Sequence, residues 1–245
     1  MKKEKYALFG TENTANGQLE VIMIKEEKVL SNIQGAIFDL DGTLLDSMHI
    51  WSEIGLKFLQ NEGITPPPGA SEEFVKLSLV QAAEYYIKNY APDKTVMDIV
   101  KRINALVEDF YFKQVLLKDG VIEFLEYLKN KNVKMCVATA TDKYMVEKAL
   151  ERNGIREYFS EIFTCTTVGA GKDTPVIYDK ALEHLGTDKN NTFVFEDALY
   201  AIETAHKADY KIVGIYDISE PADPEKVKEF CSVYINKYSE IYKYF

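Results

Sequence analysis

The sequence predicts an α/β protein built on a parallel sheet, with a helical insert after the first core strand. From residue 120 to residue 235, short apolar runs alternate with stretches of helical periodicity, which indicates βαβ units with right-handed crossovers. Between residues 47 and 115, apolar residues recur only at three- and four-residue steps, so we expect helices and no strand there. A chain of 245 residues can form one large domain with a smaller insert.

The chain is organised around a short apolar run at residues 36–38, which predicts a buried strand. Asp39 and Asp41 follow it, and on a regular strand two residues at this spacing share one face. The carboxyl ends of strands are where open α/β sheets bind ligands. Because two acids this close repel, each needs a cation or a shared proton, and Mg²⁺ suits oxygen ligands. The run therefore predicts a magnesium site.

The Asp-x-Asp-Gly tetrapeptide also occurs in calcium loops and in ordinary turns. A calcium loop is excluded, because Thr43 and Ile50 occupy its fifth and twelfth positions, where that loop needs an acid or amide and a glutamate. An ordinary turn remains the alternative for the tetrapeptide alone. It weakens once the downstream residues are considered.

The composition sets limits on partners and compartment. With a formal net charge of −10 and no basic stripe, we expect no nucleic-acid partner. No apolar run approaches the roughly 18 residues of a membrane span, and the basic start leads into no secretory hydrophobic region. Cys136, Cys165 and Cys231 lack metal-ligand spacing and predict free thiols. We expect a cytoplasmic monomer that binds no membrane.

Residues 1–33 precede the first core strand and are assigned no function. Residues 6–9 and 19–24 predict two small strands with Asn16 and Gly17 in the turn between them. A real appendage and a true start at Met23 are both left open. Downstream, we expect three helices before residue 115: one ending at Gly63, one capped by Ser71, and one spanning residues 97–110.

Further polar residues join the aspartate pair at predicted strand ends. Thr139 ends an apolar strand, where its hydroxyl and the following backbone N–H groups, beginning at Ala140, can hold a phosphate oxygen. Lys172 precedes a helix and offers a point charge. Glu196 and Asp197 end another strand and add acids that a metal site needs. Taken alone, Thr139 would be interpreted as a core or turn residue, Lys172 as a surface lysine, and the Glu196-Asp197 pair as a helix N-cap. Because all of them lie at predicted strand ends of one sheet, together they predict a site for a metal ion and a phosphate.

Over residues 34–245, the chain resembles the haloacid dehalogenase-like superfamily, specifically its phosphatase and β-phosphoglucomutase-like branch. The motifs are Asp39-Leu40-Asp41-Gly42-Thr43, Thr139 after an apolar strand, Lys172 with Pro175 and Tyr178, and Phe195-Glu196-Asp197-Ala198. The resemblance implies a Rossmann-like core of residues 34–46 and 116–245. It also implies an all-helical cap domain of residues 47–115.

The resemblance also implies roles for these residues. The residue matching Asp39 attacks phosphorus and forms an aspartyl-phosphate, and the one matching Asp41 protonates the leaving oxygen and then activates water. Mg²⁺ would be held by Asp39, the main-chain carbonyl of Asp41, and Asp197, with Glu196 adjacent. The expected function is Mg²⁺-dependent hydrolysis of a small phosphorylated metabolite, such as a sugar phosphate or a phosphoglycolate-like ester.

Thr139 and Lys172 would stabilise the charge on the phosphoryl oxygens, and Trp51 on the first cap helix is a candidate substrate contact. Two alternatives remain: a β-phosphoglucomutase-like sugar-phosphate mutase, and a non-catalytic module that binds phosphate and Mg²⁺. A mutase must hold a second phosphate, yet Asp142 stands where a cation is expected, although Lys143 follows and could compensate. The sequence therefore favours a phosphatase.

Overall fold

The computed structural model describes residues 6–13, 19–25, 28–66 and 79–245, with side chains from residue 28 onward except those of 51–52 and 79–81. Its strands are β1 Tyr6–Asn13, β2 Leu19–Lys25, β3 Gly35–Phe38, β4 Leu45–Asp46, β5 Leu116–Leu117, β6 Lys134–Thr139, β7 Ile162–Thr164, β8 Thr192–Glu196, β9 Lys211–Ile215 and β10 Val233–Ile235. Its α-helices are α1 Met48–Asn61, α2 Leu79–Tyr90, α3 Val96–Lys113, α4 Val121–Asn130, α5 Lys143–Arg152, α6 Cys165–Val168, α7 Val176–Leu185, α8 Leu199–Lys207 and α9 Pro224–Lys228. Short 3₁₀ turns occupy Arg156–Tyr158, Lys189–Asn191 and Tyr238–Tyr244.

The main sheet has six parallel strands in the order β10-β9-β8-β3-β6-β7. This confirms the predicted α/β class with a parallel core. The chain builds outward from β3 through β6 to β7, and then returns to the other side of β3 with β8, β9 and β10. The strand order therefore reverses beside β3, and such a switch point leaves a crevice at the carboxyl ends of the strands.

Both faces of the sheet are buried, which explains why its strands are continuous apolar runs. On one face, Ile37 packs in a cluster with residues of α7 and α8. On the other, Phe38 stacks on Phe195 with ring centroids 4.3 Å apart, in a cluster that includes residues of α4 and α5. Alternate residues of β3 thus face opposite helical layers, and the carboxyl end of β3 is held rigidly.

Residues 47–115, named here the intervening segment, lie between β4 and β5 in the chain. Its described helices are α1, α2 and α3. Thr95 and Asp98 form a capping box at the start of α3, and buried apolar residues recur along that helix at three- and four-residue spacing. Helix α3 contacts α1, α2 and the core helix α5. The periodicity therefore predicted the helices of the described part correctly.

The structure adds elements that the sequence did not indicate. Strands β4 and β5 pair antiparallel, with Leu45 opposite Leu117 and Asp46 opposite Leu116, so the two ends of the intervening segment are hydrogen-bonded to each other. The final aromatic stretch, Tyr238–Tyr244, is a 3₁₀ helix. The predicted Asn16-Gly17 turn and the predicted helix start at Ser71 lie outside the described residues. Among those described, no helix combines the length and apolar character needed to cross a membrane.

Candidate active site

Asp39 lies directly beyond the central strand of the sheet. The N–H of Asp39 donates to the carbonyl of Phe195 at 2.9 Å, which extends the pairing of β3 with β8 by one residue. Its carboxylate is buried. Because β3 is flanked by β6 and β8, the side chain points into the crevice where the strand order reverses.

Three buried carboxylates meet at this point. One oxygen each from Asp39, Glu196 and Asp197 lies within 4.8 Å of the others. The ammonium of Lys172, which is only 4% exposed, donates to Asp39 and to Glu196, the latter at 2.7 Å. The hydroxyl of Tyr178 on α7 lies 3.4 Å from the same oxygen of Glu196. The structure therefore brings together four of the residues singled out from the sequence.

The turn after β3 is shaped to receive Asp197. Gly42 has a φ of +78°, and a Cβ at that position would overlap the Asp197 carboxylate. Thr43 donates its hydroxyl to Asp197 at 2.9 Å, and its own carbonyl accepts from the hydroxyl of Tyr238 at 3.1 Å. A glycine is required here both for its backbone conformation and for the space it leaves.

The charges of the cluster do not balance. Burial, followed by the charge of Glu196, raises the pKa of Asp39 from 3.8 to about 8. Burial, Glu196 and Asp39 raise the pKa of Asp197 well above its ordinary value. Burial lowers the pKa of the Lys172 amine, but Asp39 and Glu196 outweigh it and raise that pKa well above the ordinary value. Three acids share one ammonium.

This donor set fits a hard divalent cation. When all four groups are ionised, the cluster lacks two positive charges, and its free acceptors are carboxylate oxygens, the ligands that Mg²⁺ prefers. Asp39 and Glu196 both accept from Lys172, whereas Asp197 accepts from the hydroxyl of Thr43, so a cation would bind the carboxylate oxygens that these bonds leave available. The predicted Mg²⁺ is therefore compatible with the site.

Mg²⁺ is expected to stabilise the protein more at pH 8 than at pH 5.5. The raised pKa values mean that folded Asp39 and Asp197 favour their protonated forms, so stability without metal is highest at low pH and falls as the pH rises towards 8. A bound cation requires the ionised forms, so its effect grows over the same range. At 100 times its Kd it contributes about 2.7 kcal/mol. For a chain of this size, that is about 5–10 °C in Tm.

Differential scanning fluorimetry with Mg²⁺ or with a chelator measures this gain at each pH. Asp197→Asn should lose most of the gain at pH 8, whereas Glu183→Gln, a neutralisation of an exposed acid on α7, should keep it. An equal Mg²⁺ effect at both pH values, or in both variants, would show that the cluster is not the metal site.

The Asp41 carboxylate is not one of the grouped oxygens of this cluster, although its charge is among the causes that raise the pKa of Asp39. Strand β3 ends at Phe38, so the regular alternation does not extend to Asp41. Its Oδ1 accepts from the hydroxyls of Ser47, at 2.6 Å, and Tyr111, and its Oδ2 accepts from Thr141 at 2.6 Å. The side chain is therefore not one of the grouped metal donors. Only its main-chain carbonyl, the atom named at the outset, remains a candidate ligand.

Thr139 and Ala140 lie at the carboxyl end of β6, next to β3. Thr139 is buried, and its hydroxyl accepts from the N–H of Thr141 at 3.1 Å, while Ala140 is exposed. The sequence motifs do not indicate the three hydroxyl groups that donate to Asp41, which belong to Ser47, Tyr111 and Thr141. Thr141 has a sequence signal, since it stands two positions beyond Thr139, but Tyr111 has none.

The remaining candidates are placed as follows. Trp51 lies in α1, and its side chain is outside the described part of the structure. Lys143 is ion-paired with Glu161 at 2.7 Å, and Asp142 accepts from Thr166 at 2.9 Å. Lys143 is therefore engaged by an acid next to β7.

A buried acid cluster with one lysine, at the switch point of a parallel sheet, defines an α/β enzyme whose site suits a hard cation and an anionic substrate. The chain belongs to the haloacid dehalogenase-like hydrolase family, whose model matches residues 36–215. The resemblance drawn from the motifs is thereby confirmed.

The chain is also similar to individual proteins in sequence and in structure. A chloroplastic 5-amino-6-(5-phospho-D-ribitylamino)uracil phosphatase from Arabidopsis thaliana is 26% identical over 86% of this chain and 58% of its own length. The phosphorylated carbohydrates phosphatase of Thermotoga maritima is 24% identical over 72% of this chain and 82% of its own. The crystal structure of a Thermotoga maritima protein provisionally assigned as a β-phosphoglucomutase has the same fold, with a TM-score of 0.75 and 24% identity, covering 86% of this chain and 97% of that one.

Proposed function

We propose that this chain is a phosphatase that hydrolyses small phosphomonoesters through a phosphorylated form of Asp39. The observation that carries the proposal is the buried cluster in which the Asp39 carboxylate touches the Lys172 ammonium beside two further acids. A carboxylate held next to cationic charge suits phosphoryl transfer, where catalysis consists mainly of positioning and charge stabilisation. Both curated relatives described above are phosphatases by name, which supports this reaction class.

The reaction would proceed in two halves. A carboxylate oxygen of Asp39 attacks phosphorus, the bond from phosphorus to the ester oxygen breaks, and its electron pair stays on that oxygen. Protonated Asp41 gives its proton to the same oxygen, which leaves as an alcohol. Ionised Asp41 then takes a proton from water as the water oxygen attacks phosphorus. The bond to Asp39 breaks, inorganic phosphate leaves, and both carboxyl groups are restored.

The remaining residues of the site would stabilise the negative charge of the phosphoryl group and orient the reacting groups. Lys172 would keep Asp39 in place and face the phosphoryl oxygens. Glu196, which accepts from both Lys172 and the Tyr178 hydroxyl, would hold the lysine in position. Mg²⁺, held by Asp39, Asp197 and the Asp41 carbonyl, would offset the repulsion between the nucleophile and the phosphate. Thr139 and the N–H of Ala140 would bind a phosphoryl oxygen at the end of β6.

We further propose that the intervening segment acts as a cap domain that covers this site and contacts the rest of the substrate. Its two ends meet in the β4–β5 pair, and Leu45 of that pair is bridged to Asp41, which supports the proposal that movement of the segment would occur beside the chemistry. The substrate would be a small phosphorylated metabolite.

The three cysteines are free thiols in the structure, which suits a reducing cytoplasm.

A phosphatase is favoured over a mutase by the surroundings of α5. A mutase must hold a second phosphate with a cation, yet Lys143 is paired with Glu161, and Asp142 adds a negative charge at the start of α5. The β-phosphoglucomutase-like pattern would also supply an arginine from the segment of residues 76–81, and this chain has none there.

The test follows both products from β-glucose 1-phosphate, with Mg²⁺ and a bisphosphate primer present, alongside a panel of phosphomonoesters. We expect release of inorganic phosphate and negligible glucose 6-phosphate. Isomerisation faster than phosphate release would establish the mutase instead. Failure to release phosphate from any ester, including 4-nitrophenyl phosphate, would favour a non-catalytic binding module.

A further inference from the structure

Asp41 is held by hydroxyl groups from three separate parts of the chain. Ser47 is the N-cap residue of α1, Tyr111 lies in the last turn of α3, and Thr141 follows β6. Two of these donors therefore belong to the intervening segment, one near each of its ends, and the third belongs to the core. Together they donate hydrogen bonds to both oxygens of the Asp41 carboxylate.

Tyr111 is the donor near the far end of the intervening segment. It stands 70 residues from Asp41 and is fully buried, with its ring at 5.8 Å and 84° to that of Phe110. The same helix is fixed to the core a turn earlier, where Tyr144 of α5 donates to Glu108 at 2.5 Å. The Tyr111 hydroxyl is thus presented to Asp41 from a helix that is itself docked on the core.

We propose that Tyr111 is a positioning residue, which sets the direction in which the Asp41 carboxyl group faces the substrate. This inference rests on the proposed function, in which Asp41 passes a proton to the leaving oxygen. A carboxyl group is useful as a general acid only when its proton lies within hydrogen-bond reach of that oxygen. The hydroxyl of Tyr111 restrains rotation of the carboxyl group and links its direction to the seating of α3.

If Tyr111 positions the acid, the loss of its hydroxyl should slow some substrates more than others, according to how basic their leaving group is. An alkyl phosphate expels a strongly basic alkoxide and depends on the acid, whereas 4-nitrophenyl phosphate expels a weakly basic phenolate that needs little protonation. Loss of acid positioning should therefore slow the first ester far more than the second. Loss of packing, or of phosphate binding, should slow both esters alike.

The experiment compares kcat/KM of Tyr111→Phe and the wild-type protein on glycerol 3-phosphate and on 4-nitrophenyl phosphate, with saturating Mg²⁺. Phenylalanine keeps the buried ring and removes only the hydroxyl. We expect a loss of about tenfold or more on the alkyl ester and of less than about threefold on the aryl ester, within the range of general acid catalysis. Tyr158→Phe is the matched control, because it removes a hydroxyl that donates to a carboxylate outside the intervening segment, Glu126 at 2.8 Å, and it should leave the ratio of the two values unchanged.

A second measurement places Tyr111→Phe in an Asp41→Asn background, where it should cause no further loss on the alkyl ester. Equal losses on both esters, or full additivity with Asp41→Asn, would overturn the positioning role while leaving the phosphatase proposal intact. A wild-type protein that hydrolyses neither ester would instead overturn the proposed function, and the inference with it.

Discussion

Asp39→Asn is expected to abolish phosphatase turnover while the fold is retained. An amide of the same size cannot attack phosphorus, and the reaction through aspartyl-phosphate has no substitute nucleophile at this position. We expect kcat to fall by at least about 10⁴, or about 5 kcal/mol. The amide also removes one of three mutually repelling acids, since burial and Glu196 raise the pKa of Asp39 to about 8. Without metal, the Tm at pH 8 should therefore be no lower than that of the wild type.

Steady-state phosphate release and thermal unfolding are both measured for this variant. Asp46→Asn is the matched control, because that carboxylate is exposed in β4 only seven residues further on, and it should leave turnover within about twofold, as surface substitutions do. A kcat near the wild-type value in Asp39→Asn would contradict the nucleophile assignment, whatever the metal dependence.

Lys172→Met is expected to have the second largest effect, because it should lower both the stability of the protein and kcat. Methionine fills a similar volume but leaves Asp39 and Glu196 without their shared ammonium. Removing one partner of a buried ion pair costs about 3–5 kcal/mol of stability. Removing a donor that stabilises transition-state charge lowers kcat by about 10²–10³. Because the remaining acids can take up protons, the stability loss should be smaller at pH 5.5 than at pH 8.

The comparison variant is Lys180→Met, which removes an exposed lysine eight residues further along the chain. It should match the wild type in both kcat and Tm. If Lys172→Met kept kcat within about threefold, the ammonium would be a structural counter-charge only, and phosphate binding would have to rest on Thr139 and the metal.

Much of the fold and of the acid cluster could be predicted because parallel topology forces distant residues together. Residues 36–38 and 193–195 are buried on both faces, so each is a continuous apolar run, and each is followed by acids. Once both are parallel strands of one sheet, their carboxyl ends must share an edge. This rule alone predicts that Asp39 and Asp197 lie close together.

The parts that could not be predicted depend on contacts without a local pattern. Strands β4 and β5 are two residues each, too short to show alternation. Tyr111 sits within the apolar stripe of α3 and reads there as one more core residue. Even the burial of Lys172 has no sequence signature, because a lysine before a helix is ordinarily at the surface. These features become visible only when side-chain directions are known.

The short pairing of β4 with β5 has a consequence for how the chain can change length. It closes residues 47–115 into a loop whose two ends are joined by backbone hydrogen bonds, independently of what the loop contains. The entropy of closing such a loop grows only with the logarithm of its length, so that doubling it costs about 0.6 kcal/mol. Insertions in the exposed turn between α2 and α3, at residues 92–94, would thus change the folding free energy of the six-stranded sheet very little.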